Sequence, residues 1–339
     1  MINIAIIGAG YIGHVHANVY KLINNVRVVA IVDSVKEKGE KLANQLDANF
    51  FSNIDELLNS KHINNIDCID ICTPTFLHSE MAVKSVNAGK NVFIEKPLSL
   101  NLEEADKIIE AAKKNKVKAM VGHVLRFWPE YIKAKEILDS GDIGKPIYAF
   151  CERLTVTPNW HEDNWGLDEK YSGGAALDLH IHDLDYLIWL LGKPVIVKAQ
   201  GFYDSNLGGF AHITTNVEFK NGYCGFAEGG WSFTGNFPFT MLLRIICEKG
   251  TVEWIFRAGK NIEERNQKND LIVYRSDGSI YVPYIENKDP FLNECEYFIN
   301  CIELDTPIEK STLNDAKESL KLSLAAIESA KNKNTIYLE

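Results

Sequence analysis

Ile2-Asn3-Ile4-Ala5-Ile6-Ile7-Gly8-Ala9-Gly10-Tyr11-Ile12-Gly13 decides how the chain is read. Ile2–Ile7 is a short, β-branched apolar run of the kind that forms a buried strand, and Tyr11–Leu22 carries helical spacing. The glycines lie between the two, where their spacing acquires a mechanism. Gly8 permits a tight turn, Gly10 lets backbone amides approach a pyrophosphate, and Gly13 lets the helix pack close to the strand. The helix N-terminus adds partial positive charge facing the anion. Asp33 ends the second apolar run, Val26–Val32, 20 residues after Gly13. At that offset a carboxylate accepts hydrogen bonds from the adenosine ribose hydroxyls. The combination predicts a dinucleotide site. A carboxylate there also repels a 2′-phosphate, so NAD is expected, while Lys36 and Lys38 keep NADP open.

Outward from this opening, apolar runs alternate with amphipathic stretches as far as Gly122. Strands are predicted at Ile2–Ile7, Val26–Val32, Cys68–Cys72, Val92–Ile94 and Val117–Val121. Helices are predicted at Tyr11–Leu22, Lys36–Leu46, His78–Ala88 and Leu102–Asn115, the last capped by Asn101 or Ser99. Alternation of this kind predicts a doubly wound parallel sheet over residues 1–122. Beyond it, one helix at Glu130–Ser140 gives way to longer β-type runs separated by turns such as Asn221-Gly222 and Asp277-Gly278. Seven strands are expected, Ile147–Leu154, Val195–Gly201, Ile213–Phe219, Tyr223–Trp231, Met241–Cys247, Val252–Phe256 and Leu271–Arg275. Two closing helices follow near Phe291–Glu303 and Asn314–Asn332. Residues 123–339 are therefore read as an α+β domain on an antiparallel sheet, with the final helix able to pack back on the first domain.

Composition bounds the rest. A chain of 339 residues with 46% hydrophobic content supplies two cores. A formal net charge of −10 repels phosphate polymers and anionic lipid, so neither nucleic acid nor membrane is an expected partner. Met1 runs straight into the first strand without a basic n-region, and no apolar run reaches about 18 residues, so a cytoplasmic protein is expected. The seven cysteines are scattered, mostly within apolar runs, with no Cys-x-x-Cys pair, which fits a reducing compartment and no zinc.

Two strand ends border the crevice that the glycine turn opens. They carry Thr73-Pro74-Thr75 with His78, and Glu95-Lys96-Pro97. Farther on, Gly173-Gly174-Ala175-Ala176-Leu177-Asp178-Leu179-His180-Ile181-His182-Asp183-Leu184-Asp185 is predicted to begin one helix that runs to Leu191. On it Asp178, His182 and Asp185 form a narrow stripe beside an apolar one. His180 and His182 point about 200° apart on a helix, which argues against metal chelation and leaves His180 and Asp183 as structural or solvated residues. Hydride transfer from an alcohol needs a base for the hydroxyl proton, and a histidine suits that task at neutral pH. His182 is the candidate, with Asp178 holding the substrate or orienting the imidazole and Lys96 facing the reacting oxygen as negative charge develops there.

Together these segments resemble the Gfo/Idh/MocA family, the group of glucose-fructose oxidoreductase and inositol dehydrogenase, over essentially the whole chain. The resemblance implies a Rossmann domain followed by an α/β domain on a large, open, mainly antiparallel sheet whose exposed face commonly makes homodimers or homotetramers. It implies a catalytic set of Lys96, Asp178 and His182, a frequent cis bond at Lys96-Pro97, and cofactor contacts at Gly8, Gly10, Tyr11, Ile12, Gly13, Asp33, Thr73, Pro74, His78, Glu95 and Lys96. Many relatives carry Trp-Arg before the glycine pair, whereas this chain reads Trp165-Gly166, which weighs against NADP and tight cofactor retention. Arg126 matches another basic position near the site.

A sugar, cyclitol or other polyol is the implied substrate. Trp160, Trp165, Tyr171, Trp231, Phe233 and Phe237 offer flat apolar faces suited to such a ring, and equally suited to a core. Arg126, Trp165 and Trp231 are the substrate candidates. Two rival readings stay open: a non-redox glycosidase or lyase that oxidises its sugar transiently with bound NAD, and an NADH-sensing protein that lost turnover.

Overall fold

Six parallel strands form the first sheet, and their order fixes where a ligand binds. The computed structural model describes residues 1–158, 162–258 and 269–338; Trp160 lies outside the described residues. Its first part runs β1 (Ile2–Ile7), α1 (Tyr11–Tyr20), β2 (Val26–Val32), α2 (Lys36–Leu46), β3 (Asn49–Phe51), α3 (Ile54–Asn59), β4 (Cys68–Ile71), α4 (His78–Asn87), β5 (Asn91–Glu95), α5 (Leu102–Asn115) and β6 (Ala119–Gly122). The strand order is β3-β2-β1-β4-β5-β6. The order in which the chain adds strands reverses between β1 and β4, which pair in parallel from Ile4 on Cys68 to Ile7 on Ile71. A crevice at the carboxyl ends of the strands is therefore expected beside this switch point. β4 is buried throughout and β1 nearly so, because helices cover both faces of a parallel sheet and the strands read as near-continuous apolar runs. Asn101 caps α5, its side chain accepting from the Glu104 amide. β3 and α3 escape periodicity because one is three residues long and the other six.

The second sheet is built by α6 (Pro129–Ser140), β7 (Pro146–Val156), α7 (Glu169–Ser172), α8 (Gly174–Asp178), α9 (Ile181–Leu191), β8 (Pro194–Asp204), β9 (Gly209–Phe219), β10 (Cys224–Phe233), β11 (Thr240–Cys247), β12 (Gly250–Arg257), β13 (Ile272–Arg275) and β14 (Ile280–Tyr281). α10 (Pro290–Glu303), α11 (Leu313–Asn332) and β15 (Ile336–Tyr337) close the chain. Nine strands lie in the order β14-β13-β12-β11-β7-β10-β9-β8-β15. All neighbouring pairs are antiparallel except β7 with β10. α8 and α9 cover one face. On the other, alternate residues such as Tyr148, Phe150, Phe226 and Leu242 stay half-exposed, with Phe150 and Phe226 stacked at 5.0 Å. Arg153 ties β7 to α9: its Nε donates to Asp183 Oδ2 at 2.9 Å, with both residues buried.

Two compact units result, and they divide the chain differently from the expected boundary at residue 122. One comprises Met1–Val124 with Lys288–Lys317, the other Leu125–Asn287 with Glu318–Glu339. The segment that rejoins the first unit is α10 with the start of α11, not the final helix as a whole. The reason lies in the apolar stripe of α10, where Phe298 packs edge-on against Phe93 of β5 and Phe291 against His16 of α1. Among the described residues no helix is long and apolar enough to cross a membrane. The seven cysteines are free thiols, and all but Cys224 are buried.

Candidate active site

In the first unit the glycine turn has the geometry its sequence implies. Gly8 has φ +101°, and a Cβ there would meet the Cys72 carbonyl oxygen at 2.5 Å; one at Gly13 would meet the Gly8 oxygen at 2.0 Å. Close packing of α1 on β1 and β4 thus requires both glycines. Nothing lies within 4 Å of a Cβ at Gly10, so the backbone is open where a pyrophosphate would approach. The half-buried Asp33 carboxylate accepts the Ala9 amide on Oδ2 and the Val35 amide on Oδ1, each at 2.7 Å. Each oxygen keeps a further lone pair for a ribose hydroxyl. Thr73 Oγ1, at the end of β4, is buried without a hydrogen-bond partner among the described residues. Tyr11, Ile12 and Pro74 are at least partly exposed at the same strand ends. These residues fit a dinucleotide.

Two residues expected at the cofactor have their side chains engaged by protein groups. His78 is buried, its Nδ1 at 2.7 Å from the Pro97 carbonyl and its Nε2 at 2.8 Å from the Thr73 carbonyl, so it pins together the loops after β5 and β4. Only an imidazolium satisfies both oxygens, yet burial outweighs these bonds and holds the ring below its ordinary basicity. Glu95 is turned inward. Its Oε1 lies 3.2 Å from His16 Nε2 and its Oε2 accepts the Lys96 amide at 3.1 Å. His16 Nδ1 reaches Asp70 Oδ2 at 2.8 Å. Burial opposes charge on His16 while the Asp70 carboxylate favours it, and the net direction is a basicity well above normal. The Lys96-Pro97 bond is cis. From Val92 to Ser99 every residue is buried except Lys96.

The second unit corrects the single helix predicted from Gly173 to Leu191. α8 stops at Asp178 and α9 starts at Ile181, with Leu179 and His180 between them. The His180 amide reaches back five residues to the Ala175 oxygen, which the Leu179 amide also uses. The inserted His180 is buried, with Nε2 at 2.9 Å from Thr215 Oγ1, and burial lowers its pKa to about 3. It is therefore a neutral structural residue. Gly173 and Gly174 both take positive φ, and a Cβ on Gly174 would lie 1.9 Å from the Gly208 oxygen, so the loop before β9 seats the start of α8. From Gly174 to Leu187 every residue is buried except Asp178 and His182, which stand on either side of the break.

Asp185 does not belong with that pair. It accepts Arg126 Nε and Nη2 at 2.9 and 2.8 Å and the Ser319 hydroxyl at 2.6 Å, all in the second unit. Arg126 is thus a buried structural cation, 2% exposed, rather than the expected substrate contact. Trp231 is likewise core: it is 1% exposed and donates its indole N–H to the Leu207 oxygen. Trp165 and Tyr171 stay half-exposed, as do Phe233 and Phe237, stacked at 4.0 Å. Asp183, expected as structural or solvated, is buried on Arg153, and burial lifts its carboxyl above the usual range although Arg153 pulls the other way. His16, Asp70 and Glu294 were not singled out from the sequence. Asp70 left the clearest signal, a lone charge inside the apolar run Cys68–Cys72.

Comparison with known proteins then decides the family. Residues 2–123 match the GFO_IDH_MocA profile, described as an oxidoreductase family with an NAD-binding Rossmann fold. Residues 131–253 match the GFO/IDH/MocA C-terminal domain. A myo-inositol 2-dehydrogenase of Thermotoga maritima is 30% identical, covering 99% of this chain and 98% of its own. The chain belongs to the GFO/IDH/MocA oxidoreductase family. A scyllo-inositol 2-dehydrogenase (NAD(+)) of Bacillus subtilis is 29% identical over 99% of this chain and 96% of its own. A 2,7-anhydro-N-acetylneuraminate hydratase of Escherichia coli is 31% identical over 70% of this chain and 63% of its own. As a GFO/IDH/MocA oxidoreductase the chain takes NAD, and the glycine turn with Asp33 has a geometry that fits it.

Proposed function

We propose that this oxidoreductase oxidises a secondary alcohol of a cyclitol or sugar, with inositols first among the substrates, using Lys96, Asp178 and His182. What supports the reading is a repeated pattern of exposure. Lys96 alone keeps solvent access among Val92–Ser99, and Asp178 and His182 alone keep it among Gly174–Leu187. Polar side chains that keep solvent access in otherwise buried stretches can be reached by a ligand, and the inositol dehydrogenase relatives suggest its chemical class.

The roles follow from chemistry. The substrate O–H bond breaks as its proton passes to the neutral imidazole of His182, while the carbinol C–H bond loses hydrogen with its electron pair. NAD, when bound, accepts that pair and the hydrogen, so alcohol and NAD become ketone, NADH and a proton. Lys96 follows directly on the end of β5, and its ammonium would stabilise the oxygen as charge develops on it. Asp178 accepts a neighbouring substrate hydroxyl or orients His182. The test is a panel of inositols, aldoses and amino sugars with NAD or NADP, followed by NADH absorbance, with His182→Ala and Lys96→Ala alongside. Losses of about 100-fold or more in kcat are expected for each variant, the scale of a general base or of one charge-stabilising group. Unchanged turnover in His182→Ala removes the assignment.

The hydratase relative favours one second reading, in which the substrate is oxidised only transiently and reduced again within the site. In that case substrate disappears without accumulation of NADH, and the same panel read by both product and absorbance separates the two.

A further inference from the structure

We propose that His16, Glu95 and Glu294 form a buried, proton-sharing strut that fixes the peptide of Lys96, with Glu294 kept as the neutral acid that donates to Glu95. The positioning role rests on the reading of Lys96 given above; the protonation of Glu294 does not. All of the residues belong to the first unit. Glu294, on α10, is completely buried, and neither of its carboxylate oxygens has a hydrogen-bond partner among the described residues. One ring nitrogen of His16 and one carboxylate oxygen each of Glu95 and Glu294 lie within 4.8 Å of one another. Glu95 is the hub: Oε1 faces His16, Oε2 takes the Lys96 amide, and a Cβ on Gly122 of β6 would crowd Oε1 at 2.9 Å.

Two carboxylates this close in a dry site do not both ionise. Glu95 already has a cationic imidazole and an amide N–H to stabilise its charge, and Glu294 has neither, so the proton stays on Glu294. Burial and the negative charge of Glu95 both push the Glu294 carboxyl well above the usual carboxylate range, with a smaller opposing pull from His16. Around them Asp70 balances His16, the Cys72, Cys295 and Tyr20 side chains are held protonated, and the exposed Asp289 caps α10. Backbone placement at a reacting group matters because a displacement of about 1 Å can cost roughly 100-fold in rate. Glu294 touches no reacting atom in this account; it is a positioning residue acting through Glu95.

Full-length protein is compared with Glu294→Gln and Glu294→Leu. At neutral pH a carboxylic-acid carbonyl band is expected in the infrared spectrum of wild type and is lost in the Gln variant. Labelling of Lys96 by acetic anhydride, read by peptide mass spectrometry without any substrate, is expected to keep its rate in E294Q, whose amide still donates, and to change in E294L. With NAD and myo-inositol, kcat falls about tenfold or more in E294L at unchanged KM for NAD, while E294Q keeps it within about twofold. Absence of the acid band overturns the proposal, as does a stoichiometric divalent cation in the purified protein with both carboxylates ionised. A Lys96 labelling rate unmoved by E294L overturns the positioning role. If wild type oxidises no polyol, the function proposed above fails while the band and the labelling still judge the strut; if E294L does not fold, a changed Lys96 labelling rate in E294Q overturns the positioning role instead.

Discussion

His180 shows how much one side chain decides. Placed at the break between α8 and α9, buried and bonded to Thr215, it is neutral in the folded protein with a pKa of about 3, whereas in the unfolded chain it titrates near 6.5. The unfolded state therefore binds the extra proton between these values. Stability from this residue is complete above about pH 6.5 and is lost as pH falls toward 3, at up to about 1.4 kcal/mol per pH unit. Urea-unfolding midpoints of wild type and His180→Asn at pH 6.5, 5.5 and 4.5 isolate the effect by difference. The wild type is expected to weaken by one more bound proton than the variant over this range. Parallel curves would show that His180 is not held neutral. The same residue explains a limit of sequence reading: periodicity aligned Asp178, His182 and Asp185 on one stripe, and the insertion of His180 leaves Asp185 on Arg126 instead.

At the scale of elements, the strands and helices with strong periodicity were legible, and so was the glycine turn with Asp33. β1, β2, α2 and α5 have the bounds expected from the residues alone, because apolar runs or stripes end at caps and turns. What stayed illegible is what long-range pairing decides. The return of α10 to the first unit, the seat of Glu95 on His16, and the pairing of Arg153 with Asp183 join residues far apart in sequence. None leaves a local pattern. Arg153 holds β7 to α9 through Asp183, and its Nη1 also contacts Met241 Sδ at 2.8 Å. Arg153→Met keeps the apolar stem and strands a buried carboxylate, a loss of roughly 3–5 kcal/mol. A urea-unfolding series is expected to show that loss with little change in m-value. A loss under about 1 kcal/mol would mean that α9 is held to the sheet by its apolar stripe alone.

At the scale of the whole molecule, the Rossmann unit contains Lys96, and the second unit contains Asp178 and His182, the three residues proposed for catalysis. The residues proposed for catalysis each sit in a compact sequence motif, whereas the buried cluster of His16, Asp70 and Glu294 draws on three separate elements and leaves no such motif. The proposed reaction turns on transfer of hydrogen with its electron pair from a cyclitol carbon to the nicotinamide. The direct measurement uses myo-inositol deuterated at every carbinol carbon, incubated with NAD and the wild-type chain, with the cofactor then examined by mass spectrometry and NMR. One deuterium on the reduced nicotinamide per ketone formed is the predicted result, absent when His182→Ala replaces wild type. Ketone without deuterated cofactor, or deuterium lost to water during turnover, would contradict it.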